Sequence, residues 1–149
     1  MSGRYLGDFS AGDVIESSET YEITSENIHD FASEYDPQPI HLDPDAAAAS
    51  MFGGIIASGW HSLSVTMRLM VRSNIFGGSP VVGVGVDNLR YLQPVRAGDR
   101  LTAQAEVVST RPSSGHPERG YLVLRITTTR HDGIPVLTQE WTVLVPRRP

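Results

Sequence analysis

The sequence predicts an α+β domain in which an antiparallel sheet wraps around one long central helix. Two observations carry that expectation. Most of the second half places apolar residues at alternate positions, the period of a strand with one buried face. The middle holds IIASGWHSLSVTMRLMVRSN, residues 55–74, whose apolar residues recur at helical spacing around most of the circumference. A length of 149 residues suits one domain spanning 1–149.

The elements follow in chain order. A strand is expected near Val14–Ile23. Thr24 or Ser25 then caps a short helix in which Ile28, Phe31, Ala32 and Tyr35 follow i, i+3, i+4, i+7 spacing. Pro37 ends it, because the residue before a proline is pushed out of the helical region. Asp43-Pro44-Asp45-Ala46 reads as an N-cap with proline at the first helical position, opening a small alanine-rich helix that Gly53-Gly54 closes.

In the long helix, Ser58 is placed as the cap and Gly59 in the first turn. Trp60, Leu63, Ser64, Met67, Met70 and Val71 share one face, while Val65 and Leu69 cover much of the other. Arg68 and Arg72 mark a solvated edge. Apolar surface this wide predicts an enclosed helix with Trp60 in the core.

Four strands come next. VVGVGVDNLRYL sets Val82, Val84 and Val86 against glycines, and LTAQAEVV puts Leu101, Ala103, Ala105 and Val107 on one side. YLVLRITTTR (121–130) and VLTQEWTVLV (136–145) are joined by a hairpin turn at His131-Asp132-Gly133. Gly98-Asp99 reads as a turn, and residues 111–117 as a polar loop between strands.

Composition narrows the function classes. Hydrophobic residues at 40% and charged residues at 19% are ordinary for a globular protein. A formal net charge of −5 argues against general affinity for nucleic acid or anionic membrane. Without cysteine there is no disulfide and no thiolate metal site. The N-terminal MSGRYLGDFSAGD lacks the apolar core of a signal peptide. No apolar run approaches the roughly 18 residues needed to cross a bilayer. A soluble, cytoplasmic protein is expected.

The stretch YDPQPIHLDP, residues 35–44, carries the chemistry. Prolines at 37, 39 and 44 stiffen a backbone that holds Asp36 five residues before His41. On spacing alone two readings stand: a carboxylate–imidazole pair for proton transfer, or a turn-forming Asp beside a His bonded to a backbone carbonyl. Asp43 is explained by its cap. A metal site from Asp36, His41 and Asp43 or His61 has suitable donors, but the spacing matches no recognised signature.

YDPQPIHLDP, the following FGGIIASGWHSLS and the later LRYLQPVRAGDRL together resemble the MaoC-like, (R)-specific enoyl-CoA hydratases over residues 10–145. The resemblance implies a single hotdog domain and hydration of a trans-2-enoyl thioester, with no cofactor beyond the coenzyme A of the substrate. Asp36 and His41 fall on the family's catalytic acid and histidine, and Gly59 on the glycine whose N–H binds the thioester oxygen. Two positions depart from the commonest pattern: Gln38 replaces asparagine, and Met67 replaces a helix serine that Ser64, one turn earlier, substitutes. Gln38, Phe52, Ile56, Trp60 and Ser64 are expected to contact the acyl substrate, and Arg90 the coenzyme A phosphates. The family implies a homodimer or higher homo-oligomer.

Hydration suits these residue types. A carboxylate and an imidazole gripping one water can orient it, take its proton and deliver another to carbon. A backbone N–H at a helix N-terminus favours the negative charge that gathers on the thioester oxygen. Two rivals are weighed. An acyl-CoA thioesterase on the same fold places an acid on or near the central helix, yet no Asp or Glu occurs between Asp45 and Asp87. A non-catalytic acyl-binding subunit would not need both Asp36 and His41.

Overall fold

In a computed structural model describing residues 3–149, the alternating segments pair into one six-stranded antiparallel sheet. Its strands are β1 (Val14–Glu16), β2 (Tyr21–Glu22), β3 (Val82–Tyr91), β4 (Arg100–Pro112), β5 (Arg119–Arg130) and β6 (Pro135–Pro146). They run in the order β1-β4-β5-β6-β3, with β2 also pairing on β4. Among the described residues four α-helices precede β3: α1 (Ser25–Tyr35), α2 (Pro39–Leu42), α3 (Pro44–Ala48) and α4 (Gly59–Arg72).

The period-two pattern sets the inner face. On β4, Leu101, Ala103, Ala105 and Val107 are buried while Thr102, Gln104 and Glu106 are exposed. Leu122, Leu124 and Ile126 continue that face on β5, and Leu137, Trp141, Val143 and Val145 on β6. Val65, Leu69 and Met70 of α4 pack into the same core. Each large apolar side chain removed from water there contributes about 1.5–3 kcal/mol. The hairpin between β5 and β6 turns at Gly133, whose φ of 85° is a conformation glycine adopts without strain.

Several expectations are corrected. The buried face of α4 is His61, Ser62, Val65, Thr66, Leu69 and Met70, not the face containing Trp60, Met67 and Val71. Trp60 is 64% exposed, so it lies outside the core. Thr66 is accommodated on the inner face because its hydroxyl is satisfied there. Thr66 Oγ1 donates to the Ser62 carbonyl at 2.9 Å and meets Thr128 Oγ1 at 2.6 Å. Since the Thr66 hydrogen is committed to a carbonyl, Thr128 is the donor between the two hydroxyls.

β3 does not keep the predicted alternation: Gly83 pairs with Val143 and Gly85 with Thr142, so the extra residue Val84 puts Val82 and Val86 on opposite faces, and all three valines are exposed on this edge strand. The N-terminal strand is two short strands, β1 and β2, so the sheet has six strands rather than five. The one-turn α2 was not predicted, since four residues are too few to show a helical period.

The Thr66–Thr128 contact anchors α4 to β5. Thr66→Val is expected to cost about 1–3 kcal/mol by leaving the buried Thr128 hydroxyl unpaired. Adding Thr128→Val should recover much of that loss, a coupling that urea denaturation of the two single variants and the double variant would measure.

Candidate active site

Three short elements bring the proline-rich stretch to the start of α4. Thr24 caps α1 reciprocally with Asn27: Thr24 Oγ1 accepts the Asn27 N–H at 3.1 Å and Asn27 Oδ1 accepts the Thr24 N–H at 2.9 Å. At the other end, the Asp36 N–H donates to the Ala32 carbonyl at 2.9 Å. The Gln38 N–H then closes a three-residue turn around Pro37 by donating to the Asp36 carbonyl at 2.8 Å. Pro39 opens α2, which carries His41, and Asp43 ends it. Asp43 Oδ1 also accepts from the N–H groups of Asp45 and Ala46, capping α3.

The segment before α4 is clamped on both sides. The Ile56 N–H donates to the Ile40 carbonyl, and the Ala57 N–H donates at 2.7 Å to the Val95 carbonyl in the loop after β3. His41, only 4% exposed, donates from Nδ1 to the Ile56 carbonyl at 2.7 Å. A carbonyl only accepts, so Nδ1 bears a hydrogen and the ring is fixed. Its Nε2 lies 3.1 Å from Asp36 Oδ2.

Asp36 is held by more than His41. The Ser58 hydroxyl donates to Oδ2 at 2.7 Å, and Gln38 Nε2 donates to Oδ1 at 2.7 Å. These two bonds, with His41 adding to them, hold the Asp36 carboxyl below its ordinary pKa against the opposing effect of burial. The group is a carboxylate at neutral pH.

Gly59 is the first residue of α4, and its N–H has no acceptor among the described residues. A Cβ here would fall 2.6 and 2.7 Å from Tyr91 Cε1 and Cζ, so any other residue would have to push the tyrosine ring aside. Burial pushes the Tyr91 phenol above its usual pKa, which keeps it protonated.

These groups line one cleft of about 500 Å³. Asp36, Gln38, His41 and Gly59 share it with apolar walls from Phe52, Ile56, Trp60, Tyr91, Leu92 and Val95. Two residues expected at the substrate are elsewhere. Ser64 donates to the Trp60 carbonyl at 2.9 Å and faces a separate apolar groove with Phe31 and Met67. Arg90 is exposed, donates to the Leu89 carbonyl at 3.0 Å, and does not line the cleft.

A β-bulge explains why Arg90 is displaced and Tyr91 arrives. Asp87 pairs with Glu140 but Arg90 pairs with Thr138, so three steps on β3 match two on β6. Asn88 takes φ 52° inside this irregularity. The extra residue puts Tyr91, opposite Leu137, on the same face as Val86, opposite Trp141. Ser58 and Ser62 also enter the site without having been singled out for it. Ser58 had a sequence signal only as a cap, and it does accept the Trp60 N–H.

His61 is buried and stacks on Phe31, with ring centroids 4.9 Å apart. Burial lowers its pKa, and it does not line the cleft. With Asp43 committed to its cap, the considered metal ligands do not assemble. Among the described residues no three His, Asp or Glu side chains cluster closely enough to hold an ion.

Comparison with known proteins places this geometry in a family. The model of the MaoC like domain matches residues 8–123. A crystal structure of a MaoC-like dehydratase from Rhodospirillum rubrum superposes with a TM-score of 0.90 at 37% identity, covering 99% of both chains. YdeM, an uncharacterized protein of Bacillus subtilis, is 29% identical over 142 residues, which is 95% of this chain and 99% of YdeM. The 3-hydroxyacyl-thioester dehydratase Z of Mycobacterium tuberculosis is 34% identical over 101 residues, covering 66% of this chain and 67% of that protein. The chain is therefore a member of the MaoC-like dehydratase family, folded as a hotdog domain.

Proposed function

We propose that this protein interconverts a trans-2-enoyl thioester, carried by coenzyme A, and the (R)-3-hydroxyacyl thioester by adding and removing water. One observation carries the reading: the Asp36–His41 pair, 3.1 Å apart, opens on an apolar cleft that also contains the start of α4 at Gly59. The relative named as a 3-hydroxyacyl-thioester dehydratase supports the same reaction class.

In the hydration direction, the Asp36 carboxylate takes a proton from water as its oxygen bonds the β-carbon. In this step the pair starts with one proton shared between His41 Nε2 and Asp36, in addition to the hydrogen on Nδ1; that shared proton passes to the α-carbon, and the proton gained by Asp36 from water replaces it. The substrate gains the atoms of one water, and no electrons are exchanged with any other partner. The reaction therefore calls for no redox cofactor. Acid–base help of this kind is worth about 10²–10⁴-fold. The Gly59 N–H donates to the thioester oxygen as charge gathers there, an interaction worth about 2.7–4 kcal/mol in comparable sites. Apolar walls strengthen both effects by excluding water.

The protein acts as a homodimer in this reading. β3 leaves one edge unpaired, and Trp60, Met67 and Val71 make an exposed apolar stripe on α4 beside Val86. An open edge and an apolar patch are both surfaces that a second copy would cover.

Asp36→Asn and His41→Ala are each expected to lower kcat for crotonyl-CoA hydration by about 10²–10⁴-fold. Circular dichroism of both variants should match the parent; near-parental turnover in either would refute the assignment. Sedimentation at micromolar concentration should show a dimer that Met67→Lys shifts towards monomer. A parent protein that sediments as a monomer would contradict the proposed assembly.

A further inference from the structure

Ser58 is fully buried and sits behind the cleft wall, not in it. A serine that only caps a helix needs its oxygen as an acceptor, and here that oxygen accepts the Trp60 N–H at 3.3 Å. Its hydroxyl hydrogen remains to be placed. The hydrogen goes to Asp36 Oδ2, 22 residues earlier in the chain, at 2.7 Å.

This bond divides the carboxylate into two unlike oxygens. Oδ2 is taken up by Ser58 and by His41 Nε2 at 3.1 Å. Oδ1 accepts from Gln38, an exposed side chain, and keeps acceptor capacity for a water. Ser58 is also bonded directly to Gly59, so the proposed base and the proposed oxyanion donor are both referenced to one peptide unit.

We propose that Ser58 is a positioning residue for the hydration site: it ties the Asp36 carboxylate to the start of α4 and fixes which oxygen faces His41 and which is free for water. The inference rests on the reading given under Proposed function. Fixing the spacing between the β-carbon water and the thioester oxygen is the kind of pre-alignment on which such additions depend. The ionisable groups sharing the cleft with Asp36 are His41 on α2 and Tyr91 on β3. Tyr91 is held protonated by burial, so loss of the Ser58 bond should be read mainly through Asp36.

Three variants separate this role from helix capping. Ser58→Gly removes the hydroxyl while costing a cap very little, and Ser58→Thr keeps both functions. With crotonyl-CoA, Ser58→Gly should stay folded, with a melting temperature lowered only by the lost bond to Asp36, and lose roughly 10–100-fold in kcat, with KM nearly unchanged. The acid limb of its pH profile should move to higher pH, because a carboxylate robbed of a donor binds protons more readily. Ser58→Thr should restore most of the rate, and Ser58→Ala should behave like Ser58→Gly with an added loss of stability.

Parental kcat and an unmoved acid limb in Ser58→Gly would overturn the inference. So would a folded Ser58→Thr as slow as Ser58→Gly. A carbon-13 NMR titration of the Asp36 carboxyl in the parent and in Ser58→Gly gives a readout independent of turnover. If the parent does not hydrate crotonyl-CoA, the functional reading fails, while an upward-shifted Asp36 midpoint still supports the clamp and an unshifted one sinks it.

Discussion

Everything at this site depends on one carboxylate being held by donors from three directions. Asp36 ends α1, His41 rides on α2, and Ser58 begins α4, so three helix ends must meet within hydrogen-bond distance. Each end is made by local chemistry. Pro37 forces the chain out of α1 into a tight turn, Pro39 restarts it as α2, and Ser58 starts α4 after a clamped extended segment. Asp36 therefore stays ionised in a half-buried place where a lone carboxylate would be costly.

The sheet contributes the walls and the back of the same cleft. The inner faces of β4, β5 and β6 hold α4, and its buried Thr66 hydroxyl is bonded to the Ser62 carbonyl and to Thr128. The outer arc of α4 does something different. It carries Trp60 into the cleft and leaves Met67 and Val71 for a second surface. One helix thus serves the core, the cleft and the outside with three different arcs.

That division explains what was legible in the sequence. The bend that sets Asp36 before His41 and the helix opening at Gly59 were readable because prolines and a helix start are features that short-range chemistry dictates, while the roles expected of the three residues came from the family resemblance. The strands were readable because sheet alternation has period two. The burial of α4 was not, because an apolar arc on a helical wheel looks alike whether it meets the core or a partner. Arg90 and Tyr91 exchanged places for a related reason: a single extra residue near Asn88 reverses the alternation beyond it, and only the pairing of β3 with β6 reveals it. Ser58 was recognised as an acceptor, while its role as a donor depends on a contact far along the chain.

The closeness of Asp36 and His41 has a stereochemical consequence that tests the whole reading most directly. In the proposed reaction, groups 3.1 Å apart approach the double bond from one side, so water and the proton are expected to add to the same face. Hydration of crotonyl-CoA in deuterium oxide, with proton NMR of the product, reads this at once. The proposed hydration predicts one (R)-3-hydroxybutyryl diastereomer carrying deuterium at the α-carbon from syn addition. An anti product, or a mixture of both diastereomers formed by the enzyme, would contradict it.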